Sequence, residues 1–269
     1  MRSRGEAGER DCVIRLMKKE GRTEGLTGLF VTGTDTGVGK TVVTAALAVA
    51  LRSRGINVGV MKPVETGCPT RRGRLLPLDA LTLRDASGSR DSLDLINPYR
   101  FREPLAPMVA ADRSGRRIDI DRVEGRFEHL ARRHHVLLVE GAGGLLVPIT
   151  EEVCFRDLAM RLGLPLLVVI GSRLGALNHA RLTVEAALRA RLPVAGAILN
   201  HHGADRSPAR RTNLSALRRL LPIPVMCELP RFVTVGRQPL WRNPRFQRIL
   251  TRSLPCLFPG IIGRSQLQG

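Results

Sequence analysis

The segment "TGTDTGVGKT", Thr32 to Thr41, constrains the fold more than any other stretch of the chain. A short apolar run, Gly28 to Val31, leads into it, and "TVVTAALAVALRSRG" leaves it with helical spacing, closed by Gly55 as a stop signal. Strand, glycine-rich loop and helix in that order make a phosphate-binding turn, in which consecutive backbone N–H groups at a helix N-terminus face an anion. Five residues separate Gly33 from Gly39, where the usual G-x-x-x-x-G-K-[ST] pattern has four, and Thr34 stands in the place of its first glycine. The chemistry needs only the compact part, Gly37-Val38-Gly39-Lys40-Thr41: backbone amides and Lys40 for the β- and γ-phosphates, and the Thr41 hydroxyl for Mg²⁺. The competing reading is a tight turn before a buried helix, with Lys40 pointing into water.

Beyond the loop the chain alternates strand and helix signals. The strands are short continuous apolar runs of the kind buried on both faces: "INVGVMKPV" from Ile56, "HVLLVEGAGG" from His135, "PLLVVIGS" from Pro165, "PVAGAILN" from Pro193 and "IPVMCELP" from Ile223. Helical spacing in Asp79 to Asp85 and in Ala180 to Ala190 falls between them. This order predicts an α/β fold, a single P-loop-containing domain whose mostly parallel sheet carries helices on both faces. Ligands in such sheets sit at the carboxyl ends of the strands.

Those ends carry Lys62 after "VGVM", Glu140 after "VLLV", Gly171-Ser172 after "LLVVI" and Asn200 after "GAIL". Lys40, Lys62 and Glu140 would thus converge near the γ-phosphate, with Glu140 in the place of the acidic residue that completes Mg²⁺ binding in P-loop enzymes. Against this stand two plainer readings, Glu140 as a solvated carboxylate at a strand end and Lys62 as a side chain snorkelling out of the sheet.

Composition sets the outer bounds. At 269 residues the chain fits one large domain with tails: a polar extension over residues 1–27, the domain over 28–230, and a basic tail over 231–269 that holds no acidic residue. Met17 is a possible start. The tail reads as a tail, although Trp241, Phe246, Ile249, Leu250, Leu257 and Phe258 could pack as a short helix over the nucleotide pocket or the sheet edge. No apolar run approaches the ~20 residues of a membrane span, so no membrane is expected as a partner. Five scattered cysteines without a C-x-x-C pair disfavour a disulfide framework and a zinc site, and point to the cytoplasm. The formal charge of +19 raises nucleic-acid binding, yet the arginines are spread along the whole chain without a stacking platform, so no nucleic acid is expected and the charge is left to attract anionic substrates.

At this point the sequence resembles the dethiobiotin synthetase family from about Leu29 to Pro230. The likeness rests on "FVTGTDTGVGKT", "MKPVETG", "LDALTL", "NPYRFREPLAP", "LLVEGAGGLLVPI", "GSRLGALNHARLT", "GAILN" and "CELP", in that order. The family's phosphate loop shares the long glycine spacing. The resemblance implies an ATP- and Mg²⁺-dependent ligase of biotin biosynthesis, which closes a ureido ring on 7,8-diaminopelargonate and CO₂ through carbamate and carbamic–phosphoric anhydride intermediates. It further implies that Gly37, Val38, Gly39, Lys40 and Thr41 hold the ATP phosphates, that Thr41, Asp79 and Glu140 surround Mg²⁺, and that Thr36, Lys62 and Thr66 face the carbamate. Gly175, Ala176, Leu177 and Asn178, ahead of a helix, would receive the substrate carboxylate from the neighbouring subunit of a homodimer. Asn200, Leu229 and Pro230 occupy positions that resemble the adenine pocket.

His201 and His202 invite a metal reading; a loop pair beside a base-binding residue fits better, since no third ligand stands at motif spacing. From another functional class, a partitioning or assembly switch ATPase with a deviant loop is the alternative. Such proteins carry a second lysine early in the loop, where this chain has Asp35.

Overall fold

The computed structural model describes residues 27–201, 207–231, 239–259 and 261. Met17, His202 and the extension before Thr27 lie outside the described residues. Six strands form the central sheet: β1 (Thr27–Gly33), β2 (Val58–Met61), β3 (Val136–Gly144), β4 (Leu166–Gly171), β5 (Val194–Asn200) and β6 (Val225–Leu229). They run in the order β6-β5-β4-β1-β3-β2, every pair parallel. Each corresponds to one of the apolar runs in the sequence.

The continuous apolar character of these runs follows from burial on both faces. In β1 the period of two sends Leu29 and Val31 to one core and Phe30 to the other, all three fully buried. One face is covered by α1 (Lys40–Arg52) and α2 (Leu78–Ser87). On the opposite face lie α3 (Pro107–Arg113), α4 (Ile120–Ala131), α5 (Phe155–Arg161), α6 (Ala176–Arg189) and α7 (Ala209–Leu220). β1 is flanked by β3 and β4, so the loop that leaves it opens between the carboxyl ends of its two neighbours. In doubly wound sheets that crevice receives the ligand.

Part of the segment expected as a tail is folded. Asn243 caps α8 (Pro244–Thr251) by accepting hydrogen bonds from the backbone N–H groups of Arg245 and Phe246, and Pro244 supplies the first-turn φ. Together with α9 (Leu254–Leu257) and a preceding 3-10 turn, Leu240–Arg242, it buries Trp241, Phe246, Leu250, Leu254, Leu257 and Phe258 in the core shared with α1. Gln247 ties the segment down through its side-chain amide, which donates 3.1 Å to the Ala46 carbonyl of α1. The apolar residues of β4, β5 and β6 on this face, among them Leu167, Val169, Ile198 and Leu229, belong to that same core.

Candidate active site

The phosphate loop begins where β1 ends and closes on Gly39, the N-cap of α1, with φ of 92°. Glycine is required there twice over: the left-handed conformation favours it, and a Cβ would come within 2.2 Å of the Asn200 side-chain nitrogen. Asn200 sits at the end of β5, buried, and donates 2.8 Å to the Val38 carbonyl. It therefore clamps the loop from below. Asp35 ties the long loop together. Its carbonyl accepts from Lys40 Nζ at 3.0 Å, its carboxylate accepts from the Thr36 N–H at 2.7 Å, and the same carboxylate pairs with Arg173 just after β4.

Beside the loop four sequence-derived residues are in direct contact. Lys62 leaves β2 fully enclosed, with Nζ 2.6 Å from Glu140 Oε1, 2.9 Å from Asp79 Oδ2 and 3.2 Å from the Gly141 carbonyl. Thr41 donates its hydroxyl 2.7 Å to the same Glu140 oxygen. Glu140 stands on β3, the immediate neighbour of β1, which explains why its side chain reaches the first turn of α1. Lys62 is an internal ion-pair partner and not a snorkelling lysine, and Glu140, with no exposed surface, is not a solvated strand-end charge.

The electrostatics follow from this crowding. Burial, and then the Lys62 ammonium nearby, bring Lys40 down to about 8. Burial also works to lower Lys62, but Glu140 and Asp79 outweigh it and hold the ammonium well above the ordinary lysine range. For Asp79, burial pushes upward and is overcome by Lys62 and by the Thr41 hydroxyl, so its carboxyl stays below the usual range. Glu65, buried beside the site, rises to about 7 because desolvation exceeds the help of the Ala80 and Asp79 backbone N–H groups.

The residues fit a divalent cation. Glu140 Oε2 is buried and has no hydrogen-bond partner among the described residues. An orphaned carboxylate oxygen next to a hydroxyl and a second carboxylate suits a hard cation that takes oxygen ligands. Among the described residues no group of three or more histidine, cysteine, aspartate or glutamate side chains could make a closed metal cage. Mg²⁺ seldom uses one, because it keeps waters and phosphate oxygens in its shell.

Other expected residues are placed without joining this cluster. Thr36 is exposed on the loop, across from Gly143 at the end of β3. Thr66 is half-buried four residues beyond Lys62. Gly175 caps α6 and Ala176, Leu177 and Asn178 form its first turn; among the described residues they make no hydrogen bond to Lys40, Lys62, Asp79 or Glu140. The Leu229 side chain lies in the core and its carbonyl accepts from the His201 N–H, while Pro230 is half-buried beyond it. His201 is buried, receives Arg210 Nε at 2.9 Å on Nδ1, and turns Nε2 to Glu228. Three features went unread in the sequence: Asp35 with Arg173, His201 with Glu228, and Glu65 on α2. Each joins residues far apart in the chain through side-chain geometry that no local spacing encodes.

Comparisons with known proteins bear on most of the chain. A family model described as an AAA domain matches residues 27–238. The ATP-dependent dethiobiotin synthetase of Thermodesulfovibrio yellowstonii is 42% identical over 211 residues, covering 76% of this chain and 88% of that protein. The ATP-dependent dethiobiotin synthetase of Anaeromyxobacter dehalogenans is 48% identical over 195 residues, with coverage of 72% and 86%. Among solved structures, a ParA family ATPase from Chlorobium tepidum covers 88% of this chain and 94% of its own at a TM-score of 0.47 and 16% identity, too distant a likeness to carry an argument.

Proposed function

The chain belongs to the ATP-dependent dethiobiotin synthetase family, and from that premise we propose how its residues divide the work of converting 7,8-diaminopelargonate, CO₂ and ATP into dethiobiotin, ADP and phosphate. The observation that carries the reading is the contact set of Lys62, Glu140, Asp79 and Thr41 at the mouth of the phosphate loop. Here the buried charges are arranged to hold phosphate, cation and an anionic acceptor together.

Lys40 and the backbone amides of Gly37 to Thr41 hold the triphosphate, with α1 pointing its N-terminus at it. Thr41, Asp79 and Glu140 would hold Mg²⁺, which when bound neutralises charge on the β- and γ-phosphates. One amine of the substrate adds to CO₂, forming an N–C bond and a carbamate with loss of a proton. A carbamate oxygen then attacks the γ-phosphorus as the bond to ADP breaks, and Lys62, Thr36 and Thr66 orient that oxygen. The second amine attacks the carbonyl carbon; the new N–C bond closes the ring and the C–O bond breaks, releasing phosphate. No covalent link to the protein is needed, so positioning and fixed charge supply the catalysis.

Adenine is assigned to Asn200, Leu229 and Pro230. Asn200 uses one amide hydrogen on Val38, so its second amide hydrogen and its oxygen are the side-chain groups left for the base. The substrate carboxylate is assigned to Gly175 to Asn178 at the start of α6, supplied by the partner subunit of a homodimer; free N–H groups at a helix N-terminus suit an anion, and Leu174 beside them is 81% exposed. The four described cysteines are free thiols, which supports a reducing compartment such as the cytoplasm.

Labelled bicarbonate tests this chemistry. With freshly dissolved ¹⁸O-bicarbonate and short reaction times, the phosphate released is expected to carry one ¹⁸O from the carbamate. Unlabelled phosphate formed together with dethiobiotin would rule out attack by the carbamate oxygen.

A further inference from the structure

α2 begins without a cap of its own. Its N-cap residue is Pro77, whose side chain offers no acceptor, yet the first-turn N–H groups of a buried helix end need partners. They find them in another segment. Glu65, on the short strand Val64–Glu65, accepts from the Asp79 N–H at 2.9 Å through Oε1 and from the Ala80 N–H at 3.0 Å through Oε2. These are the second and third helical positions, the pair that a capping side chain normally serves.

The two sides of this contact come from separate segments. The backbone of Glu65 is fixed, because its strand pairs with Tyr99–Arg100 and its carbonyl accepts from the Phe101 N–H at 2.9 Å. α2, by contrast, is reached through an exposed hairpin, Thr70–Arg71 with Arg74–Leu75. Glu65 is also a costly way to cap a helix: the residue is 5% exposed, and no ion pair among the described residues neutralises it. The buried Glu65 side chain faces two N–H groups at the positive end of the helix dipole. Its neighbours in the chain are Thr66 on one side and, three residues back, Lys62.

We propose that Glu65 is a positioning residue for Asp79: by capping α2 from the segment that carries Lys62 and Thr66, it sets where the Asp79 carboxylate stands relative to Glu140, and so tunes the divalent-cation seat. This rests on the reading of Asp79 as a metal-side residue. No contact with substrate or cation is assigned to Glu65. It acts through the backbone of Asp79.

The test measures metal binding directly, by Mn²⁺ titration of the full chain with ADP followed by electron paramagnetic resonance. Glu65→Gln keeps the shape and one acceptor oxygen, but sets an NH₂ group against the other of the two N–H donors. It is expected to weaken Mn²⁺ by about 10–100-fold, the range seen when groups that orient metal ligands are removed. The KM for 7,8-diaminopelargonate is expected to stay within about twofold, and the Asp79 and Ala80 amides to exchange faster. Adding Pro77→Asp in the same chain supplies a cap from the N-cap position itself and is expected to restore most of the Mn²⁺ affinity.

Faster amide exchange with unchanged Mn²⁺ affinity would make Glu65 a helix cap and nothing more, and would overturn the proposal. Should Glu65→Gln alone fail to fold, the double variant decides: affinity near that of the parent supports positioning through the cap, and affinity still reduced more than tenfold refutes it. Asp79→Asn is measured alongside. If it leaves Mn²⁺ binding unaltered, the metal-side reading of Asp79 is what fails; if it weakens binding while Glu65→Gln does not, only the positioning role falls.

Discussion

Lys40, the proposed phosphate ligand, has an adjustable charge. Enclosed at the loop and repelled by Lys62, it holds its proton only up to about pH 8 before nucleotide arrives. Below that value the ammonium is present and attracts the triphosphate; above it, the neutral amine binds more weakly. The kcat/KM for ATP, which reports groups of the free enzyme, is therefore expected to be level below about pH 8 and to fall towards tenfold per pH unit above it. Lys40→Ala should lose at least ~10²-fold in turnover, as removal of one fixed donor to developing charge does elsewhere, and should lack this alkaline limb. A Lys40→Ala enzyme with parental turnover would remove Lys40 from the site. At this scale the sequence was partly legible. Lys40, Lys62 and Glu140 could be placed together because parallel strands deliver their carboxyl-end residues to one crevice, and the structure brings Lys62 and Glu140 into contact. Asp79 came only through family likeness, since an aspartate in the first turn of a helix has no signature of its own. Glu65 was invisible as a cap, because the helix it serves begins thirteen residues later.

The elements were more legible than the residues wherever burial made the pattern strong. All six sheet strands coincide with apolar runs: β2 and β4, buried at every position, have no polar residue to interrupt them, whereas the edge strand β6 keeps Glu228 at a half-buried position. The C-terminal segment had no such pattern: α8 spans eight residues and α9 four, too short for a helical period to stand out among the arginines. Their packing gives the segment a larger role than a tail would have. Burying each of several large side chains contributes roughly 1.5–3 kcal/mol, against a total stability of about 5–15 kcal/mol. A chain ending at Arg231 is thus expected to melt at least ~10 °C lower than the full chain, or not to fold, whereas a chain starting at Met17 is expected to melt where the full chain does. An unchanged melting temperature on C-terminal truncation, read by differential scanning calorimetry, would show that Trp241, Phe246 and their neighbours are dispensable cover.

At the scale of the whole molecule, one sheet order explains why charge, glycine and carboxylate meet where they do. β1 lies between β3 and β4, so the phosphate loop emerges beside Glu140 on one side and beside Arg173 on the other. In the position where a partitioning ATPase would carry its second lysine stands Asp35, paired with Arg173. In the proposed site the cations beside the phosphates come instead from Lys40 and Lys62, and a chain of formal charge +19 is expected to attract anions in general. The central claim is that this arrangement spends ATP to close a ring and not to drive a conformational cycle. Incubating the purified chain with ATP, Mg²⁺, bicarbonate and 7,8-diaminopelargonate, and following products by mass spectrometry, tests it most directly. One dethiobiotin formed for each ADP, with neither appearing at comparable rate when 7,8-diaminopelargonate is left out, is the result expected; steady ADP release with no dethiobiotin would contradict it.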